Sequence, residues 1–145
     1  MITYLDTSSL VKLYVEEPES EAVKGLVARS DAVSTSLVAY AEARAAFARK
    51  YWERAFTKSQ FKKVKDSLNK DWSHLLIITV SKEIALSAGD LAEKHNLRGF
   101  DAIHLASAIT IKQELQSSVV FSCADEKLQK ASMQEGFDQP RPPSV

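Results

Sequence analysis

Short runs of apolar and β-branched residues alternate along this chain with longer segments of helical periodicity. The runs are ITYLD, AVST, LLIITV and SVVFSC, and a helical pattern follows each of them. Strands that are separated by helices pair in parallel, because a crossover helix returns the chain to the same end of the sheet. The pattern predicts an α/β fold with a mostly parallel central sheet and helices on both of its faces.

Capping signals indicate where several helices begin. Thr57 and Gln60 have the spacing of a capping box, and Ser81 precedes another helical segment. The first predicted helices are TSSLVKLYV from Thr7, a segment opened by Pro18, and a helix from about Leu37 to Ala55 that is capped by Ser36. Two more run from Thr57 to about Trp72 and from Ser81 to near Asn96. The last two are a helix with Asp101 in its first turn, after a break at Gly99, and a helix that begins at Asp125 and ends near Gly136.

Length and composition predict one domain in a reducing compartment. The 145 residues suit a single compact domain, which we expect to span residues 1–137, with a Pro-rich tail over residues 138–145. No apolar run approaches the roughly 20 residues that cross a bilayer. Asp6 falls too early for a secretory signal, and the one cysteine excludes an internal disulfide. We therefore expect a cytoplasmic protein without a membrane segment.

Charge is segregated along the chain, although the formal net charge is zero. Residues 44–70 contain nine basic and two acidic residues, so this stretch carries a charge of +7. Zero net charge argues against a generic nucleic-acid coat protein, but a local positive stretch attracts a polyanion. The basic residues that we expect to contact a nucleic acid are Arg49, Lys50, Arg54 and Lys58.

Four acidic residues stand out by their positions. Asp6 ends the first predicted strand, and Asp125 follows the last one. Asp101 lies where a loop enters a helix, and Glu42 lies on a helix face of small apolar residues. Each has an ordinary alternative: the aspartates could be helix caps that contribute about 1 kcal/mol each, and Glu42 could pair with a nearby arginine such as Arg44 or Arg49.

The predicted architecture favours a shared site, because ligands of open parallel sheets bind beyond the carboxyl ends of the strands. Two unit charges about 4 Å apart repel by roughly 4 kcal/mol at an effective dielectric constant near 20. Converging carboxylates therefore need protons or a cation. An all-oxygen set of ligands suits Mg²⁺ or Mn²⁺, which can hold a phosphodiester and activate water.

Four stretches of the chain resemble the PIN domain family, and more narrowly the VapC-type toxins of toxin–antitoxin pairs. They are YLDTSSLVKLY, STSLVAYAEARAAF, RGFDAIHLASAI and VVFSCADEKLQKASMQEGF, and they occur in the family's order up to about Phe137. The resemblance implies a three-layer α/β/α sandwich and a metal-dependent endoribonuclease. It also implies a homodimer, an inhibitory antitoxin partner, and transfer RNA or ribosomal RNA as the target.

The resemblance also implies roles for single residues. Asp6, Glu42 and Asp101 match the three core acidic positions of the family, Asp125 matches the fourth, and Ser8 matches a hydroxyl beside them. Asp6 and Asp101 would be the main ligands of Mg²⁺ or Mn²⁺, directly or through water, and Asp125 would complete the site. Glu42 would orient or deprotonate the attacking water, or bind a second ion, and Ser8 would hold a carboxylate or a metal-bound water.

Histidines and aromatic residues allow further interpretations. His104 is either a catalytic base or, as we favour, a packing or supporting residue, and His74 and His95 are predicted to be surface residues. The aromatic residues on the long helices could stack on RNA bases, but residues at helical spacing more often form a core or an interface, and we assign most of them to the dimer or antitoxin contact. They are Tyr40, Phe47, Tyr51, Trp52, Phe56, Phe61 and Trp72.

Two other functions compete with the nuclease. A haloacid-dehalogenase-like phosphatase would use Asp6 as its nucleophile, but DTSSL lacks the second aspartate two residues on that such enzymes use as acid and base. A PIN-like scaffold that binds partners without catalysis is the non-enzymatic alternative. The complete set of acidic residues argues against it.

Overall fold

A computed structural model describes residues 1–140 of the chain. The strands and helices within these residues are β1 (Ile2–Leu5), α1 (Thr7–Val11), α2 (Ser20–Ala28), β2 (Ala32–Ser36), α3 (Val38–Trp52), α4 (Lys58–Trp72), β3 (Leu76–Ile78), α5 (Lys82–His95), α6 (Gly99–Leu115), β4 (Val119–Ser122) and α7 (Glu126–Gln134).

The four strands form one sheet in the order β3-β2-β1-β4, and every neighbouring pair is parallel. Tyr4 of β1 lies opposite Ser34 of β2 on one side and Phe121 of β4 on the other. Since all strands point the same way, their carboxyl ends meet at one edge of the sheet. The predicted parallel sheet is confirmed.

Helices cover both faces of this sheet. Neighbouring residues of a strand point to opposite faces, and Tyr4 and Leu5 accordingly belong to two separate hydrophobic clusters. Tyr4 packs with residues of α5, α6 and α7, whereas Leu5 packs with residues of α1, α2, α3 and α4. The protein is therefore a three-layer α/β/α sandwich, as predicted.

The predicted caps fix several helix boundaries. Thr57 and Gln60 form a complete capping box, because the Gln60 amide donates to Thr57 Oγ1 at 3.1 Å and the Thr57 amide donates to Gln60 Oε1 at 2.8 Å. Ser81 caps α5 by accepting a hydrogen bond from the Ile84 amide. Asn96 ends that helix in the left-handed conformation, with φ 54°.

Other predicted boundaries are wrong. The run LLIITV contributes only Leu76–Ile78 to the sheet, because β3 is an edge strand that pairs with β2 alone. Gly99 is not the break that was predicted before α6. It is the first residue of α6, and the extended backbone of Arg98 makes the corner instead. Pro18 precedes α2 by two residues.

Two helices end earlier than predicted. The helix α1 stops at Val11, and α3 stops at Trp52. Ser36 is the last residue of β2, and its Oγ atom accepts a hydrogen bond from the Val38 amide at 3.3 Å, so its hydroxyl serves the start of α3 as predicted. The chain turns after Trp52 because Arg54 takes the left-handed conformation, with φ 62°. Boundaries of this kind depend on local packing, which periodicity does not encode.

The predicted tail begins with a backbone contact to the sheet. The Phe121 amide donates to the Asp138 carbonyl at 3.0 Å, and the Asp138 amide donates to the Val119 carbonyl at 3.2 Å. Residues 141–145 of that tail lie outside the described residues. Within residues 1–140, no helix is both long enough and apolar enough to span a bilayer.

Candidate active site

The four acidic residues that the sequence singled out line one cavity of about 610 Å³ at the carboxyl edge of the sheet. Asp6 directly follows β1, and Asp125 lies just beyond β4. Asp101 enters from the first turn of α6, and Glu42 enters from α3. Residues that are up to 119 positions apart in the sequence thus converge because parallel strands end together.

Asp6 caps the N-terminus of α1 and also lines the cavity. Its Oδ1 atom accepts hydrogen bonds from the Ser9 amide at 2.9 Å and from Ser8 Oγ at 2.7 Å. Ser8 Oγ also accepts a hydrogen bond from the Ala124 amide at 3.1 Å, which ties the turn after β4 to the turn after β1. The capping alternative is therefore correct for Asp6, and it does not exclude a ligand role.

The environment of Asp6 disfavours its negative charge. The residue is only 5% exposed, and burial raises the pKa of its carboxyl above the usual value. The hydrogen bonds from Ser8 and Ser9 oppose this effect on the pKa, and the negative charge of Asp101 reinforces it. A cation in the cavity would relieve the cost of burying this charge.

Glu42 has hydroxyl and imidazole partners. Its Oε1 atom accepts a hydrogen bond from Thr7 Oγ1 at 2.5 Å and lies 3.2 Å from His104 Nε2. Burial acts to raise the pKa of Glu42, but the hydrogen bonds with His104 and Thr7 outweigh it, so that the pKa is lowered. The alternative pairing with Arg44 is wrong, because the Arg44 guanidinium donates to the Tyr40 hydroxyl.

Arg98 joins the other two carboxylates. Its Nε atom lies 3.2 Å from Asp101 Oδ2, and its Nη2 atom lies 3.7 Å from Asp125 Oδ2. The other carboxylate oxygen of Asp125 caps α7 by accepting from the Leu128 amide at 2.9 Å. Sequence reasoning missed Arg98, although a basic residue three positions before Asp101, in the loop that enters α6, was an available signal.

The donor set fits a hard divalent cation that keeps part of its water shell. Five acidic residues and the hydroxyl residues Thr7 and Ser8 line the cavity, and Mg²⁺ is usually bound through one or two carboxylates plus water. Within residues 1–140, no three side chains of His, Cys, Asp or Glu lie close enough together to enclose one ion directly.

Of the four basic residues expected to contact RNA, Arg49 lines the cavity. Lys50, Arg54 and Lys58 lie near the end of α3 and the start of α4, outside the cavity wall, and Lys50 is half-buried. Glu17 is a further acidic residue of the wall that sequence reasoning missed. Its carboxylate lies 3.6 Å from the ammonium of Lys12, which is buried.

Two predictions outside the cavity are corrected by burial. Phe47 is fully buried in the cluster around Leu5, so it belongs to the core and is not a contact for a partner. Tyr40, Phe56, Phe61 and Trp72 also pack against that cluster, whereas Trp52 is 80% exposed. His95 is not a surface residue, because its side chain is 5% exposed and lies 2.7 Å from Glu135.

The family profile and the similar proteins of known name agree on one family. The sequence profile of the PIN domain matches residues 3–132. The chain is 34% identical over 110 residues to ribonuclease VapC45 of Mycobacterium tuberculosis (strain CDC 1551 / Oshkosh), covering 76% of each sequence. It is 35% identical over 111 residues to ribonuclease VapC46 of Mycobacterium tuberculosis (strain ATCC 25618 / H37Rv), covering 72% of each.

The fold has solved counterparts. The crystal structure of Mycobacterium tuberculosis VapC20, described as a toxin that cleaves the sarcin–ricin loop, superposes with a TM-score of 0.67. The two chains share 16% identity, and the match covers 97% of this chain and 99% of the other. At that identity the match supports the fold, and the profile and the closer relatives support the family. From its fold, its profile match and these relatives, this chain belongs to the PIN domain family.

Proposed function

We propose that this protein is a metal-dependent endoribonuclease that acts as the toxin of a toxin–antitoxin pair. The observation that carries the proposal is the convergence of Asp6, Glu42, Asp101 and Asp125 in one cavity. The relatives named ribonuclease VapC, at 34–35% identity, support the choice of RNA hydrolysis. A cluster of carboxylates in a cavity of this size suits a phosphodiester only if cations accompany it.

Asp6 and Asp101 would hold Mg²⁺ or Mn²⁺, directly or through water, and Asp125 would complete the site. When bound, the ion would supply electrostatic stabilisation of the charge that develops on the phosphate. Ser8 keeps Asp6 in one orientation through its 2.7 Å hydrogen bond. Burial of Asp6 favours binding of a cation, since it makes an uncompensated carboxylate unfavourable.

Glu42 would orient the attacking water and accept its proton. Its lowered pKa keeps the carboxylate ionised at neutral pH, so that it can accept a hydrogen bond from this water and orient it. The water oxygen would attack phosphorus as the bond to the 3′ oxygen breaks, and the departing 3′ oxygen would take a proton from solvent water, which leaves a 5′-phosphate and a 3′-hydroxyl. Arg49, at the cavity wall, would contact the flanking phosphates.

Lys50 lies near the end of α3, Arg54 follows that helix and Lys58 begins α4, and we include these three basic residues in the RNA contact. The target class would be transfer RNA or ribosomal RNA. One structural neighbour is itself described as a toxin that cleaves the sarcin–ricin loop. Other neighbours are complexes such as the toxin–antitoxin complex of Klebsiella pneumoniae, which supports a cognate antitoxin as the partner. We further propose a homodimer in the cytoplasm.

RNA cleavage assays with two isosteric variants test the proposal. We expect Mg²⁺- or Mn²⁺-stimulated cleavage that EDTA abolishes, and a loss of about 100-fold or more in Asp6→Asn and Asp101→Asn. Asp90→Asn, on the exposed surface of α5, is the matched control and should cleave normally. Near-normal cleavage by both active-site variants would refute the proposal.

Two further outcomes separate the competing functions. RNA binding without any metal-stimulated cleavage would point to a non-catalytic scaffold. Hydrolysis of a small phosphomonoester, lost in Asp6→Asn, would point to a phosphatase. Sequencing of the cleaved RNA ends after induced expression would identify the target.

A further inference from the structure

A chain of buried and half-buried polar side chains leads from the central sheet to Glu42. The Tyr4 hydroxyl lies 2.8 Å from His104 Nδ1, and both side chains are almost completely buried, at 0% and 2% exposure. On the other side of the ring, His104 Nε2 lies 3.0 Å from Thr7 Oγ1 and 3.2 Å from Glu42 Oε1. These four residues come from β1, α1, α3 and α6.

The geometry assigns the protons along this chain. His104 Nε2 faces a carboxylate oxygen, and a nitrogen lone pair there would be repelled, so Nε2 carries the hydrogen. In the neutral ring, Nδ1 is then an acceptor, and the Tyr4 hydroxyl donates to it. Thr7 donates its own hydroxyl hydrogen to Glu42 Oε1 and can accept from His104 Nε2. Every hydrogen in the chain is thus directed toward Glu42.

These contacts use only one of the two oxygens of Glu42. Within residues 1–140, the hydrogen bonds to the Glu42 carboxylate end on Oε1, from Thr7 and His104. Glu42 nevertheless borders the cavity and remains partly exposed. The other oxygen is therefore left for a ligand or water in the cavity, while Oε1 fixes the plane of the carboxylate.

We propose that His104 is a positioning residue, held by Tyr4 in the tautomer with hydrogen on Nε2, that fixes Glu42 for its role in catalysis together with Thr7. The inference rests on the proposed nuclease function, since it specifies how one of its residues is oriented. A base role for His104 itself does not fit, because both of its ring nitrogens are already engaged by protein groups. A flexible glutamate must be held in place for its oxygen to meet the reacting water, and small displacements reduce rates strongly.

Two substitutions at the same position separate positioning from packing. The His104→Gln variant keeps an amide N–H near the place of Nε2, so it can still donate to Glu42. The His104→Asn variant keeps a carbonyl oxygen near the place of Nδ1, so it can accept from Tyr4 but does not reach Glu42. Both remove the buried ring, and thermal melting should show comparable losses of stability.

We expect His104→Asn to lower kcat for RNA cleavage by about 10- to 100-fold with KM within about 2-fold of wild type. His104→Gln should retain kcat within about 3-fold, because its donor is preserved. Equal losses of kcat in both variants would overturn the proposal and assign His104 to packing alone. If His104→Asn does not fold, Tyr4→Phe replaces it, since this change removes one buried hydroxyl and should also lower kcat without changing KM.

A second measurement does not depend on nuclease activity. The ¹⁵N chemical shifts of the His104 ring, recorded in the full-length protein without metal or RNA at a pH where the ring is neutral, should show hydrogen on Nε2 and none on Nδ1. In Tyr4→Phe, the Nδ1–H form should become populated, because the donor that opposed it is gone. Hydrogen on Nδ1 in the wild type would overturn the inference even if cleavage is observed. Absence of RNA cleavage by the wild type, with hydrogen on Nε2, would instead count against the proposed function.

Discussion

Asp6→Asn should stabilise the fold while it removes the proposed activity. The Asp6 carboxyl is 5% exposed, and its pKa in the folded protein is raised mainly by burial. The folded state therefore disfavours the ionised form relative to the unfolded chain. Asparagine has nearly the same shape without the charge, and its Oδ1 atom can accept the same hydrogen bonds from Ser8 and Ser9.

The expected gain follows from linkage between protonation and folding. Each unit by which a pKa differs between the folded and unfolded states corresponds to about 1.4 kcal/mol. Because Asn is about as good a helix cap as Asp, the cap is retained. We expect a gain of about 1 kcal/mol in the free energy of unfolding, which is within the range that single stabilising substitutions commonly give. For a chain of 145 residues this gain raises Tm by about 3 °C.

The sign of the pH dependence gives the sharper test. A group whose folded pKa is raised destabilises the fold as the pH rises through that pKa, and it has no such effect below its unfolded pKa of about 3.9. The difference in Tm between Asp6→Asn and wild type should therefore be largest at about pH 7.5 and shrink toward about pH 4. Melting curves in EDTA, with Asp90→Asn as an exposed control, measure it.

One result would refute this reasoning. If Asp6→Asn melts at or below the wild-type temperature at neutral pH, with a difference that does not change with pH, the buried carboxylate is not a source of instability. The change in Tm on addition of Mg²⁺ should then be measured for both wild type and Asp6→Asn. A rise in Tm for the wild type that is smaller in Asp6→Asn would support binding of the cation at this carboxylate.

Three further predictions concern the core, a helix cap and the basic surface. Phe47→Ala should lower the free energy of unfolding by about 3–5 kcal/mol in urea titrations, since Phe47 is fully buried. Thr57→Ala should lower it by about 1 kcal/mol, because the capping box of α4 is lost. Arg49→Glu should weaken RNA binding and reduce the slope of log K against log salt by about 1. The same change at Lys63, outside the cavity wall, should have a smaller effect, and equal effects would contradict a special role for Arg49.

Secondary structure was predictable wherever a local signal was strong. The capping box at Thr57 and Gln60 and the cap at Ser81 fix helix starts through bonds between residues three apart, so the sequence contains both partners. The prediction of a break at Gly99 was wrong because glycine is also tolerated at the start of a helix. The extended backbone of Arg98 makes the corner. The run LLIITV looked like a long strand, but only one neighbouring strand is available to pair with it.

Periodicity and element order by themselves determined the architecture of this protein and which acidic residues share an edge. Parallel strands joined by helices must all end on one side, so Asp6 and Asp125 were bound to meet. Only the tertiary structure decided what those acids touch. Tyr4 and His104 are 100 residues apart, and Arg98 reaches Asp125, which lies 27 residues further along the chain. Such pairings depend on side-chain packing between separate elements, and no repeat or spacing along the chain encodes them.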